Sequence, residues 1–598
     1  MKCNMLAYNN DSHLKEKKVK DIAIFFCQIW QELTDSRTLD TYQYKVLNCY
    51  YALNELQEVI HKTVENIYPT EHNMKACIEE TKAIIACDQI LQKYEKALLD
   101  SLNIAFKGDF KKSADMIRLR FQISCAIKKL KPEYLSLLLD ELKNSIIDNN
   151  FADIEAYAKN VVSQCINNGW SAKALRNMMY FFMNENEFED QWENFTKRLF
   201  SDKTAHTVFI SIQLRPKKTE GQISSLRTLE SLGLVTRTYN EAIAEYHDNS
   251  ELSKHLNSKK KYFLVSVEAP DFFSSAHLAL KQISEKIVTA SFFNLVSAWD
   301  LKSVTITSIR QETGKMITIA AEELYETHDY LDSSGLIFEN TRKIFNDGKN
   351  DNLRSRLQGS FAYANISRAS LFQEEKYMNL WVALESLART QMYDNIFSNI
   401  KETLPEALCL RYIYRIVRNF IEDCGRCDVD FSFSKLTVNI KQQNKQELVK
   451  EVIQVLNDPV SFSELETKCK VNSLLFSRAH SIQILVSDAS YARAKLEKHY
   501  KMVAWQIQRL YRYRNEIAHS ALQKNSSLII YIEHLYDYLS IYISEIVTCI
   551  EKNNLESIEE ALCIIKSNYD VFISLANNRD YTTIQSRVLS SGIIDLVT

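Results

Sequence analysis

Apolar positions recur every three to four residues over most of the chain, the spacing that gives an α-helix one buried stripe. In residues 1–203 it predicts helices over Asp21 to Leu33, Thr41 to Ile67, Asn73 to Asn103, Ser113 to Leu130, Pro132 to Asn149, Ala152 to Asn168 and Ala172 to Asn184. Pro132 at a start, and Asn149-Asn150 and Asn167-Asn168-Gly169 at ends, punctuate this part as paired antiparallel helices. No fixed repeat period is present, so the expectation is an irregular helical array that senses or binds a partner.

From His206 the period shortens. Thr207 to Leu214, Tyr262 to Glu268 and Val304 to Arg310 carry the β-branched and aromatic residues of strands, and Gln311 to Lys315 can turn the last of these back into Met316 to Ala320. A helix over Ser274 to Ala290 lies between two of them, so residues 204–345 form a small α+β domain in this reading, with no ligand assigned. Gly221, Gly233 and Gly314 stand alone, which leaves no glycine-rich phosphate loop. Helical spacing resumes near Asp329, with segments over Arg354 to Phe372, Glu375 to Met392, Leu404 to Phe420, Ser526 to Lys552, Leu555 to Leu575 and Thr582 to Val597.

Composition agrees with a mainly α fold, since 10 glycines and 6 prolines in 598 residues leave few turns. A net charge of −3 argues against a protein that binds DNA or anionic membrane over its whole surface. The 13 cysteines are scattered singly in apolar runs, as expected of reduced thiols in a cytoplasmic protein. The exception, Cys424-Gly-Arg-Cys427, has no second pair at zinc-site spacing and reads as a tight turn between helices, so neither metal nor cofactor is expected. No signal-type segment opens the chain, and its most apolar run, Leu528 to Ile550, is broken by Glu533, His534, Asp537 and Glu545, so no membrane partner is expected.

Two stretches carry candidate chemistry. In E-K-Y-M-N-L-W-V-A-L-E-S-L-A-R, Tyr377, Leu380, Trp381, Leu384 and Leu387 form an apolar stripe with Glu385 at its edge, either plain surface or facing a buried site. In Y-R-Y-R-N-E-I-A-H-S, residues 511–520, Arg514, Asn515 and His519 bring phosphate-directed and proton-moving groups into six positions. RNA cleavage without a metal needs such groups: a ribose 2′-hydroxyl loses a proton as it attacks phosphorus, the leaving 5′-oxygen gains one, and a guanidinium meets the charge on the phosphate oxygens. Arg493, Lys495, Lys498, Lys501, Arg509, Arg512, Arg514 and Lys524 outnumber Glu497 and Glu516 around this motif, which makes Lys501, Arg509 and Lys524 candidate RNA contacts. A second pair, Arg493 and His499, lies in A-R-A-K-L-E-K-H and reads as solvated helix. The tyrosines at 531, 536, 538 and 542, with Ile529, Ile532, Leu535 and Leu539 among them, read as packing groups.

The Leu380 to Leu387 stretch, L-W-V-A-L-E-S-L, together with the 404–420 helical segment and the 511–520 motif, resembles the HEPN superfamily, specifically the ApeA-like HEPN domains of bacterial phage-defence proteins. The resemblance spans roughly residues 350–550 and implies a helical bundle, a homodimer with two motifs facing each other, and metal-independent endoribonuclease activity on RNA, tRNA among the candidates. By the same resemblance Arg514 would hold the scissile phosphate, Asn515 orient it and His519 move the proton, while Glu385 would position Arg514 or Asn515. The organisation expected is a helical sensor domain over 1–203, the α+β domain over 204–345, a HEPN bundle over 346–552 and closing helices over 553–598. The chain would then be a toxin-like effector of abortive infection, restrained or released by a phage-derived trigger or regulatory protein.

At 100° per residue Arg514 and His519 lie about 140° apart on one helix, whereas Asn515 and His519 share a face and Arg512 falls near it. Either a partner's Arg514 completes the site across a dimer, or Arg512 contributes beside His519. The alternative from another class is a non-catalytic helical scaffold, in which Arg514 pairs with a carboxylate such as Glu385.

Overall fold

A computed structural model describes residues 10–35, 47–64, 71–108, 110, 113–212, 222–246, 249–293, 304–324, 336–346, 350–370, 372–439, 445–520 and 528–575. It is mainly helical, with one small antiparallel sheet. Among the described residues no helix is long and apolar enough to cross a membrane.

The N-terminal helices form because nearly every apolar position finds a partner. Helix Ile24–Thr34 buries Phe26, Ile29, Trp30 and Leu33. Phe26 and Trp30 pack edge-on against Phe195, with ring centroids 5.8 and 5.2 Å away, and the Trp30 indole donates to the Leu175 carbonyl at 2.7 Å. The single helix expected over Asn73 to Asn103 is three: Glu71–Ala86, Gln89–Tyr94 and Lys96–Ala105. Asp88 causes the first break. Its buried carboxylate accepts from the Leu91 amide at 2.9 Å and from the Tyr134 hydroxyl at 2.6 Å, capping a new start where periodicity alone reads straight through.

The five strands run in the order β2-β3-β1-β4-β5, with β1 Thr204–Ser211, β2 Val235–Thr238, β3 Lys261–Ala269, β4 Thr305–Arg310 and β5 Met316–Ala320, every pairing antiparallel. Four match the expected strands. The edge strand β2, V-T-R-T, is too short and polar to stand out as a pattern. Gly314, at φ +66°, turns β4 into β5 as the 311–315 segment suggested. Alternation puts Val208, Ile210, Phe263, Val265 and Ile306 against helix Phe272–Phe292, while Phe209, Tyr262 and Ile309 face a smaller cluster with Ala242, Leu252 and Leu256.

The helices before and after this sheet share one apolar core that runs from Leu14 to Leu199 and again from Ile344 to Phe572. Polar ties reinforce it: the Gln28 side chain accepts from the Leu474 amide at 2.9 Å, and Arg478 reaches Glu32 at 2.5 Å and Glu155 at 3.2 Å. The segment read as further helices over Leu404 to Phe420 is one helix, Ile396–Arg426, with Pro405 inside it. Cys424 to Cys427 is therefore the last turn of that helix and not a turn between two, with Cys427 as its C-cap and Asp428 at φ +55° leading the chain away. Tyr531, Tyr536, Tyr538 and Tyr542 on helix Leu528–Asn553 are all buried. The segment Thr582 to Val597 lies outside the described residues.

Two carboxyls sit inside this bundle. Burial pushes Glu406 and Glu545 each up to about 7, against the opposing pull of Lys566 and Arg411 respectively. A carboxyl whose folded pKa is raised binds its proton more tightly folded than unfolded, so between roughly pH 4.5 and 7 stability falls as pH rises. The thermal midpoint by scanning calorimetry is expected to be lower at pH 8 than at pH 6, and Glu545→Gln should shrink that difference. An unchanged difference would mean that Glu545 is not among the groups that titrate.

Candidate functional site

The 511–520 motif ends the 32-residue helix Ala489–Ser520. Leu496, Val503, Ile507 and Leu510 anchor the helix in the core. Tyr511 stacks on Phe397 at 4.0 Å between centroids, with the buried Trp381 ring 5.8 Å away, and the Tyr377 hydroxyl donates to the Leu510 carbonyl. Helices Gln373–Leu387 and Ile396–Arg426 thus grip the motif helix just before its polar end.

Beyond that grip the side chains separate onto two sides. Arg509, Arg512 and Glu516, at i, i+3 and i+7, lie on one face and meet the N-terminal helices Cys49–Val64 and Glu71–Ala86. Arg509 is fully buried, donating through Nε to both Glu55 oxygens at 2.9 Å and through Nη2 to Glu80 at 2.6 Å. Its Nη1 donates to Gln506, whose amide nitrogen lies 2.5 Å from the His534 ring. Arg512, 4% exposed, pairs with Glu55. Lys62 bridges Glu516 and Glu58, at 2.6 Å to each. Although burial alone would raise the Glu55 carboxyl, Arg509 and Arg512 hold it below its ordinary range. The two arginines and two glutamates are in charge balance, which is what makes this burial tolerable.

On another side lies the set the sequence singled out. The Trp381 indole donates to Glu385 Oε1 at 2.6 Å, and the same oxygen is 3.8 Å from Arg514 Nη2. Arg514 Nη1 donates to Asn515 Oδ1 at 3.3 Å, and its Nε is buried without a hydrogen-bond partner. Glu385, Arg514 and Asn515 are thereby brought together, each partly exposed. His519 belongs to the same helix, but its side chain lies outside the described residues, as does the whole of Lys524.

The geometry corrects two roles. Arg509 cannot offer its guanidinium to RNA in this arrangement, because it has no exposed surface and both its charge partners are internal. Arg512 is likewise held by Glu55 and turned from the Arg514 side. Lys501 is exposed, but thirteen residues before Arg514 it sits about 20 Å away along the helix. The second Arg–His pair is also less solvated than expected: Arg493 pairs with Glu497 at 2.7 Å, and the His499 ring stacks on Tyr412 at 4.2 Å. Glu55, Glu80, Lys62 and Gln506 were missed, since each reads as an ordinary polar position on an amphipathic helix.

Comparison with protein-family models, with curated proteins and with solved structures finds no match for this chain.

Removing one member of a buried charge network strands the others. Arg509→Ala is expected to destabilise the helical core by about 3–5 kcal/mol, against about 0–1 kcal/mol for Arg493→Ala in its partly exposed pair. The comparison is read from urea unfolding midpoints followed by far-UV circular dichroism, and equal effects would mean that Arg509 is solvated.

Proposed function

We propose that the chain is a metal-independent endoribonuclease of the HEPN type, with Arg514, Asn515 and His519 as its catalytic set and Glu385 as a positioning residue. The observation that carries this reading is the convergence of Glu385, Arg514 and Asn515 beside Trp381, two helices apart in sequence. The single ion pair of Arg514 with Glu385, at 3.8 Å, is long enough to be exchanged for a phosphate oxygen. In this reading His519 moves a proton between the ribose 2′-hydroxyl, the attacking group, and the leaving 5′-oxygen, while Arg514 meets the charge that builds on the phosphate. The products are a 2′,3′-cyclic phosphate and a free 5′-hydroxyl. A homodimer supplies the arginine that one helix cannot bring to the same phosphate as its own histidine. The N-terminal helices and the sheet unit serve as the part that senses a trigger, and the whole acts as a toxin-like effector in anti-phage defence.

The second reading is a non-catalytic scaffold. It is favoured by the same Arg514 to Glu385 pair, because a paired arginine needs no substrate.

Purified protein incubated with tRNA and with total RNA separates the two. Cleavage is expected to leave 2′,3′-cyclic phosphate ends, to persist in a chelator, to be absent with DNA, and to fall by about a hundredfold or more in Arg514→Ala and His519→Ala. Cleavage that survives both substitutions would overturn the site, and absence of cleavage with every RNA tried favours the scaffold.

A further inference from the structure

A second concentration of positive charge lies at the sheet end of the molecule, and no role has been given to it. Strands β1 and β4 end together where His206 pairs with Arg310. Helix Phe188–Leu199 brings Arg198 to the same place, and the segment Pro270 to Phe272 lies between the two arginines. Arg198 donates to the Pro270 carbonyl and to the Ser201 hydroxyl, and its guanidinium covers the Trp170 ring at 4.6 Å. Arg310 covers the Phe272 ring at 5.1 Å.

The two differ in one respect. Arg198 has hydrogen-bond acceptors and an aromatic platform, which suffice for a structural role. Arg310 has only the platform: its Nε is buried without a hydrogen-bond partner, and no carboxylate pairs with either arginine among the described residues. The nearest acid, Asp271, is buried and fully engaged. It accepts from the Phe273 and Ser274 amides at 2.8 and 2.9 Å, from the Ser274 hydroxyl at 2.7 Å, and from the amide and hydroxyl of Ser171 at 2.9 Å each. Five donors fill the acceptor capacity of one carboxylate. His206 adds no charge: burial, then Arg310 and Arg198, push it down to about 4, and its ring nitrogens rest on Thr204 and Ser308 at 3.1 Å each. The pocket therefore holds two guanidiniums against one saturated carboxylate. Tyr180, 58% exposed, stands at its rim within the electrostatic reach of both arginines.

We propose that Arg198 and Arg310 bind a phosphate group, making the junction of the sheet with the preceding helices a site for a small phosphorylated molecule. A carboxylate matches one guanidinium fork, whereas a phosphate offers enough oxygens for two forks and up to two negative charges. Arg310 supplies the open donors and Arg198 the fixed second charge. The proposal is independent of the ribonuclease reading, which uses none of these residues.

The test is thermal unfolding of the full-length chain titrated with inorganic phosphate, pyrophosphate or adenosine monophosphate, with ionic strength held constant by potassium chloride. A saturable rise in midpoint is expected with at least one of the three, and none with chloride alone. Orthophosphate acting as well as the ester would mean that the anion alone is recognised, while a preference for the ester or pyrophosphate would point to a larger ligand. Arg310→Gln should abolish the rise without lowering the midpoint of the unliganded protein, because no hydrogen bond is lost. Arg310→Lys, which keeps the charge without the fork, should weaken binding at least tenfold by calorimetry. No saturable rise with any of the three, or an undiminished rise in a folded Arg310→Gln or Arg310→Lys variant, would overturn the proposal.

Discussion

A guanidinium without solvent contact must find its counter-charges inside the protein, and Arg509 finds them 454 and 429 residues away in Glu55 and Glu80. That requirement organises the helical part of the molecule. The N-terminal helices Cys49–Val64 and Glu71–Ala86 cannot leave the motif helix without exposing two acids and two arginines that now neutralise one another. Nor can Arg509 be satisfied by one glutamate, since Glu55 is already shared with Arg512. The continuity of the apolar core across both ends of the chain follows the same logic, because hydrophobic contact supplies most of the stabilisation and the ion network fixes which helices make it.

Locking one side of the motif helix decides what its other side can do. With Arg509, Arg512 and Glu516 committed to the N-terminal helices, Arg514 is the arginine of the motif left with one long ion pair and an unpartnered Nε. Its setting is rigid: the Trp381 indole orients Glu385, Tyr377 holds the Leu510 carbonyl, and Tyr511 is stacked on Phe397. A charged group held by a rigid shell and incompletely paired is better suited to meeting a phosphate than one that must first be ordered.

What the sequence disclosed follows from how local each signal is. Helix and strand periods are local, so four of five strands and most helices were legible, and the misses have local causes, as with the Asp88 cap and the four polar residues of β2. The juxtaposition of Glu385 with Arg514 was legible only because both motifs were recognised as belonging together. Arg509 and Arg512 were misread for the opposite reason. In sequence they belong to a run of basic residues indistinguishable from a solvated face, and nothing within ten positions of them announces Glu55 or Glu80. Charge counts along a chain cannot separate a patch that faces water from one neutralised by acids several hundred residues away.

That distinction also bears on which arginine would act with His519. For Arg512 to act beside it, the arginine would have to leave Glu55, uncovering a carboxylate in a setting where Arg509 alone must then balance both Glu55 and Glu80. Breaking such a buried contact costs on the order of 3–5 kcal/mol, more than one phosphate contact at a solvated site typically returns. Arg514 gives up only a 3.8 Å ion pair at a partly exposed position. On energetic grounds the ribonuclease reading therefore runs through Arg514, and the wide angle that a regular helix sets between residues 514 and 519 makes a second copy of the chain the source of the missing group.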